Sequence, residues 1–150
     1  MIEIEVEDEA WTRALPGVEA LVTRAATAAL GKVEGDVVFL LTDDAAIQDL
    51  NARFRDKDRP TNVLSFPAAQ TAFPHMGDVV LAYAYCAAEA EAQSKTLSDH
   101  LSHLVVHGVL HLMGHDHMED DEAEEMEGEE RLILASLGIA DPYLSEQEPT

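Results

Sequence analysis

The sequence predicts an α+β protein: a small mixed four-stranded β-sheet packed with about five α-helices, one of them buried and lined with histidines. Three observations carry this reading. The first half alternates strand-length apolar stretches with helical periods, the β-α-β order that builds a sheet. The second half reads as helices alone. One of these, from Ser98 to Met113, is apolar almost all round, which places it in the interior. At 150 residues, the span 1–150 reads as a single domain with room for a core of its own.

Each element has a local cause. Ile2, Ile4 and Val6 alternate with acids over residues 1 to 7, a half-exposed strand. Pro16 stands just before an Ala- and Leu-rich helix over residues 17 to 30. Val37 to Leu41 form the apolar centre of a strand over residues 33 to 41. Thr42 or Asp43 caps the helix that runs through AAIQDLNARF. Pro60 ends any helix, and NVLSF is a short strand closed by Pro67. Residues 68 to 76 form a loop, and GDVVLAY is the fourth strand. Helices follow to about Gln93, from Ser98 to Met113, and from the acidic run to RLILASLG, with Gly138 as the final stop.

Composition narrows the function classes. No basic, apolar leader opens the chain and no stretch is long enough to span a bilayer, so a cytoplasmic protein is expected. Cys86 is the one cysteine, which excludes an internal disulfide; it reads as a packed helical thiol. Net charge is −21, which on average disfavours polyanions. The distribution says otherwise. Arg53, Arg55, Lys57 and Arg59, four of the nine basic residues, fall within NARFRDKDRP. The acids crowd elsewhere, above all in EDDEAEEMEGEE from Glu119 to Glu130, which reads as a solvated helix face rather than a second metal site.

The run HGVLHLMGHDH carries the chemistry. His107 and His111 are four apart and share one helix face. At ~100° per residue, His103, His107 and His111 fall within about 80° of one another, counting from His100. Gly114 lets the helix stop, so that a reversed chain brings His117 back as a third imidazole. Three neutral imidazoles with one position open describe a catalytic zinc site, one ion per chain. The spacing is that of the zincin pattern H-E-x-x-H-x-x-G-x-x-H, but Gly108 stands where the protease keeps its general base. Zinc hydrolase geometry without peptidase chemistry is the result.

Three stretches together resemble the YbeY family, the bacterial endoribonucleases also called rRNA maturation factors. They are LNARFRDKDRPTNVLSFP from Leu50 to Pro67, GDVVL from Gly77, and HLVVHGVLHLMGHDHMEDDEAEEME from His103. The similarity runs from about residue 40 onward, and the first 35 residues offer little to match. The resemblance implies zinc on His107, His111 and His117, single-strand-specific RNA cleavage, small-subunit rRNA maturation and ribosome quality control. The family's arginine of this segment falls on Arg55, with Phe54 where tyrosine is common, and His115 replaces the tyrosine of the family's H-x-G-Y-D-H ending. His115 either points away from the metal, as the replaced tyrosine could, or competes for coordination, and the first is expected.

Roles follow from phosphodiester chemistry. Arg55 is the candidate catalytic guanidinium, complementing charge on the equatorial oxygens. Arg53, Arg55, Lys57 and Arg59 are the candidate substrate-binding residues, and NVLSF is expected to run along the metal cleft. His103 is a second catalytic candidate, either orienting a ligand or phosphate or acting as a core histidine bonded to backbone. Asp116 either braces a ligand imidazole or caps the last helix, and His100 and His75 are expected at the surface. No residue presents itself as general base; the substrate's ribose 2′-hydroxyl is one possible nucleophile. The expected partners are single-stranded RNA, rRNA and the ribosome or its proteins. Two other readings stand: a zinc peptidase, opposed by Gly108, and a non-catalytic ribosome-assembly factor, favoured by the net charge.

Overall fold

The computed structural model describes residues 1–114 and 120–143, and the side chains within these except those of residues 70 and 120–122. Four strands, β1 (Ile2–Val6), β2 (Asp36–Thr42), β3 (Val63–Pro67) and β4 (His75–Ala82), form one sheet in the order β1-β2-β4-β3. β1, β2 and β4 are parallel, and β3 runs antiparallel to β4 at the edge. The mixed α+β architecture is the expected one. The described helices are α1 (Ala10–Ala14), α2 (Val18–Leu30), α3 (Asp44–Arg55), α4 (Tyr83–Ala92), α5 (Leu97–Leu112) and α6 (Asp120–Ser136). Short α1 was not expected from the sequence. It exists because Trp11, fully buried, anchors it by donating its indole N–H to the Thr42 carbonyl at 3.1 Å and meeting Tyr83 edge-on at 5.2 Å.

Period-2 alternation gives the sheet two different faces. Val37, Phe39, Leu41, Val79 and Leu81 point to one side, where α2 and α5 cover them to form the main core. On the other side α3 buries Ile47 against Leu64, Val80 and Ala82, but leaves Val38 and Leu40 only half-buried. Asp43 proves to be the cap of α3, accepting from the Ala46 amide at 2.8 Å. Cys86 is buried as expected, its thiol against the Asn62 carbonyl at 3.5 Å. Burial pushes that thiol far above its ordinary pKa and keeps it protonated.

Among α5 residues, Leu101, Val105, Val106 and Val109 are all fully buried, as the all-round apolar pattern requires. The helix starts at a Thr96 cap whose hydroxyl accepts from the Asp99 amide at 3.1 Å. It ends at Gly114, whose φ of +99° takes the chain out of the helix. In its middle, Gly108 lies flat on the sheet: a Cβ there would stand 2.7 Å from Val79 Cγ1 and 3.3 Å from Ser65 Oγ. Glycine costs helix stability at such a position, about 0.5–1 kcal/mol against alanine. Here no larger residue fits without moving the helix.

His100 corrects an expectation. It is 3% exposed rather than at the surface, because its ring turns inward to the Glu89 carboxylate of α4, with Nε2 and Oε1 2.6 Å apart. Half-exposed His75 lies near Asp78 at 3.7 Å.

Two stability predictions follow from this packing. Gly108→Ala forces α5 off β4 and costs about 1–3 kcal/mol by overpacking, read as a lower urea midpoint with unchanged slope. For His100, burial disfavours the cation more than Glu89 restores it, with His103 and Lys95 adding repulsion, so its pKa is lowered from 6.5. The unfolded chain therefore takes up this proton first, and the contribution of His100 to stability, full above pH 6.5, is lost as pH falls below it. The difference in unfolding free energy between the wild type and His100→Gln should shrink as pH falls below 6.5; a difference independent of pH would refute this.

Candidate metal centre

The inner face of α5 carries His103, His107 and His111 one turn apart, and α6 crosses it with Glu130. His107 and His111 are brought together as expected: their Nε2 atoms lie 3.1 Å apart and their ring centroids 4.6 Å. His107 turns its other nitrogen, Nδ1, to Glu130 Oε1 at 2.5 Å. An imidazole whose Nδ1–H donates to a carboxylate has its Nε2 lone pair set for a cation or a donor. The N···N spacing matches what two ligands adopt around a tetrahedral cation, about 3.3 Å for metal–nitrogen bonds of 2.0–2.1 Å. The donor set therefore fits a borderline-soft divalent ion. Among the described residues there is no cluster of three or more candidate ligands. His117, the third imidazole expected from the sequence, lies outside the described residues, as do His115 and Asp116.

Glu130 is the residue that sequence reasoning missed. It stands in the acidic run expected to be solvated, yet it is fully buried. Glu124, Glu125 and Glu129 do face solvent. The physical reason is register: Met126, Glu130 and Leu134 are four apart, and both apolar neighbours are buried in the core. An acid on the apolar stripe of a helix was a readable signal, because such a carboxylate must find donors. It finds three. Besides His107, it takes His103 Nε2 at 3.0 Å and the hydroxyl of Tyr143. Burial alone would raise the Glu130 carboxyl, but the hydrogen bonds and charge of His103 and His107 prevail and hold it at about 2.

Tyr143 was missed as well, and nothing in the sequence marked it. The segment that delivers it is tied down by Arg131 Nε to Asp141 at 3.1 Å and by Lys95 Nζ donating to the Pro142 carbonyl at 2.9 Å. Burial, then Glu130, push its phenol far above the ordinary value, so it remains a donor. His103 is neither at the surface nor bonded to backbone: it shares the Glu130 carboxylate and meets the Tyr143 hydroxyl at 3.3 Å.

The basic residues stand on the other side of Gly108. Helix α3 runs on to Arg55 and stops at Asp56, whose φ of +57° is left-handed. Arg53, Arg55, Lys57 and Arg59 are all exposed. Arg53 pairs with Asp49 at 3.2 Å. Arg55 Nη2 donates to the Ser65 carbonyl at 2.6 Å, and Ser65 Oγ donates to the Gly108 carbonyl at 3.3 Å. Two hydrogen bonds thus join the guanidinium to the residue after His107, across β3.

The family model described as Endoribonuclease YbeY matches residues 3–138, and so corrects the expectation that the first 35 residues offer little to match: all of them but the first two fall within it. A relative named Endoribonuclease YbeY from Paramagnetospirillum magneticum is 51% identical over 155 residues, covering 95% of this chain and 94% of its own. Another so named, from Azorhizobium caulinodans, is 53% identical over 152 residues and covers 95% of each. The solution structure of a Thermotoga maritima protein superposes with a TM-score of 0.62 at 25% identity, covering 98% of this chain and 92% of that one. The chain belongs to the Endoribonuclease YbeY family.

Proposed function

We propose that this chain is a zinc-dependent endoribonuclease that cuts single-stranded RNA and serves small-subunit rRNA maturation and ribosome quality control. The observation that carries the reading is the convergence of His107 and His111 at 3.1 Å above a buried carboxylate that fixes the ring of His107. His107, His111 and His117 would hold one ion per chain. When bound, a divalent cation there would supply Lewis acidity for a phosphoryl group and for a nucleophile.

The remaining work belongs to the protein. Arg55 presents a fixed guanidinium to the equatorial phosphate oxygens, where charge concentrates in the transition state. Arg53, Lys57 and Arg59 attract the RNA backbone. Glu130 is buried and already accepts from three groups, so it orients rather than abstracts a proton. His103, on the same carboxylate, serves the reaction by holding Glu130 in place beside the His107 ring. If the ribose 2′-hydroxyl attacks, the product carries a 2′,3′-cyclic phosphate.

Zinc peptidase activity is opposed by more than the absence of a glutamate. Position 108 faces Val79 and Ser65, not a cleft, so a carboxylate placed there would have no room. A scaffold role in ribosome assembly is favoured by the net charge of −21, which suits basic ribosomal proteins. Its signature is ribosome co-sedimentation that survives His111→Ala while RNA cleavage by the wild type is absent.

Metal analysis beside RNA cleavage assays tests the main reading. His111→Ala should lose both the ion and cleavage. Arg55→Ala should keep its metal content and lose about 10²–10³-fold in rate, the usual cost of removing one donor from a transition state. Undiminished cleavage by Arg55→Ala removes that residue from the mechanism. Glu130→Gln should weaken metal affinity about 10–100-fold in a chelator competition, with far-UV dichroism retained; unaltered affinity would show that the carboxylate serves packing alone.

A further inference from the structure

The last turn of α3 sets Arg53, Phe54 and Arg55 in a row, and Phe54 is 61% exposed. Its ring meets that of Phe66, on edge strand β3, edge-to-face with centroids 5.5 Å apart. Each ring has its own guanidinium: Arg53 lies 5.7 Å from the Phe54 centroid and Arg55 5.7 Å from that of Phe66. Beside them opens a cavity of about 490 Å³ on the outer face of the sheet, floored by Leu40 and Val80, where α3 stops short of full cover. An exposed apolar ring costs solvation, and a cation at each ring cannot bury it.

We propose that Phe54 and Phe66 form a stacking subsite for a nucleobase of the RNA substrate, beside the phosphate that Arg55 holds. The proposal rests on the endoribonuclease reading and names what that site grips besides phosphate. A single-stranded nucleic acid offers what this surface lacks: apolar base faces to cover the rings, alternating with phosphates for the arginines. Four of the nine basic residues lie between positions 53 and 59, interleaved with Asp56 and Asp58, and it is the guanidiniums of Arg53 and Arg55 beside the two rings that favour a polyanion over a basic protein partner here. Glu5 and Asp78 at the cavity wall keep phosphate out of it and leave it to the base.

The topology links the subsite to the histidines. Side chains alternate along β3, so Phe66 faces outward while its neighbour Ser65 turns inward to the Gly108 carbonyl. β3 is the sheet edge, and Arg55 sits on that edge at the Ser65 carbonyl. A strand of RNA crossing the edge therefore places a base on the outer face, a phosphate at Arg55 and the next linkage toward α5.

The test uses the metal-loaded protein and a short single-stranded RNA carrying 2-aminopurine, whose fluorescence falls on stacking. Phe54→Ala should raise KM for cleavage about tenfold with kcat nearly unchanged, and should abolish the rapid fluorescence change on mixing. Phe54→Tyr should restore both, and an oligomer with abasic positions should not distinguish wild type from Phe54→Ala. Equal KM and equal fluorescence change in Phe54→Ala overturn the subsite and leave the endoribonuclease reading intact. Wild type that neither binds nor cleaves the RNA overturns both. Loss of ribosome association by Phe54→Ala with RNA kinetics unchanged also overturns it, and assigns the face to a protein.

Discussion

The close seat of α5 on the sheet governs the rest of this structure. Gly108 allows it, because any side chain there would meet Val79 and Ser65. That approach turns His107, the preceding residue, about 100° round the helix from the contact with the sheet, and brings the Gly108 carbonyl within reach of the Ser65 hydroxyl. Ser65 in turn carries Arg55 on its own carbonyl. One missing side chain therefore fixes the relation between a histidine face and an arginine. It also explains why the zinc-protease spacing occurs without the protease's glutamate: the position has been given to packing.

A second constraint acts along the histidine face of α5. Four histidines lie on this buried helix, and two acids take three of them. Glu89 takes His100, and Glu130 takes His103 and His107. Glu130 is buried with three donors around it, so the network is satisfied at the carboxylate, the condition under which a buried charge rigidifies rather than destabilises. Tyr143, held by Arg131–Asp141 and Lys95, closes the arrangement from a distant part of the chain. Rings braced in this way keep one tautomer and one direction, which is what a ligand field demands of its imidazoles.

The charge distribution separates two surfaces. Of the described acids of α6, Glu124, Glu125 and Glu129 face solvent, and the exposed cations Arg53, Arg55, Lys57 and Arg59 cluster at the end of α3. Arg53 and Arg55 stand over Phe54 and Phe66 instead of forming an undifferentiated positive patch. A strongly acidic chain thus sets two arginines against two aromatic rings at the end of α3.

Much of this was legible in the chain itself. Period-2 and period-3.6 patterns located four strands and five of the helices, because each pattern reports which side of an element is buried. The pairing of His107 with His111 was legible because helix geometry alone dictates it. Arg55 stood out through the motif around it, and Phe54 was noticed there only as a replacement for tyrosine. Other features needed distances between elements far apart in sequence. Trp11 made a helix only by reaching Thr42. His100 looked superficial until α4 supplied Glu89. Glu130 looked like one acid among many, although its place between Met126 and Leu134 on one stripe could have given it away. Local sequence determined which residues share a face, since that follows from backbone geometry. Tertiary structure alone decided which opposing group each face meets, because a buried charge or hydrogen bond is defined by its partner, and the partner comes from elsewhere in the chain.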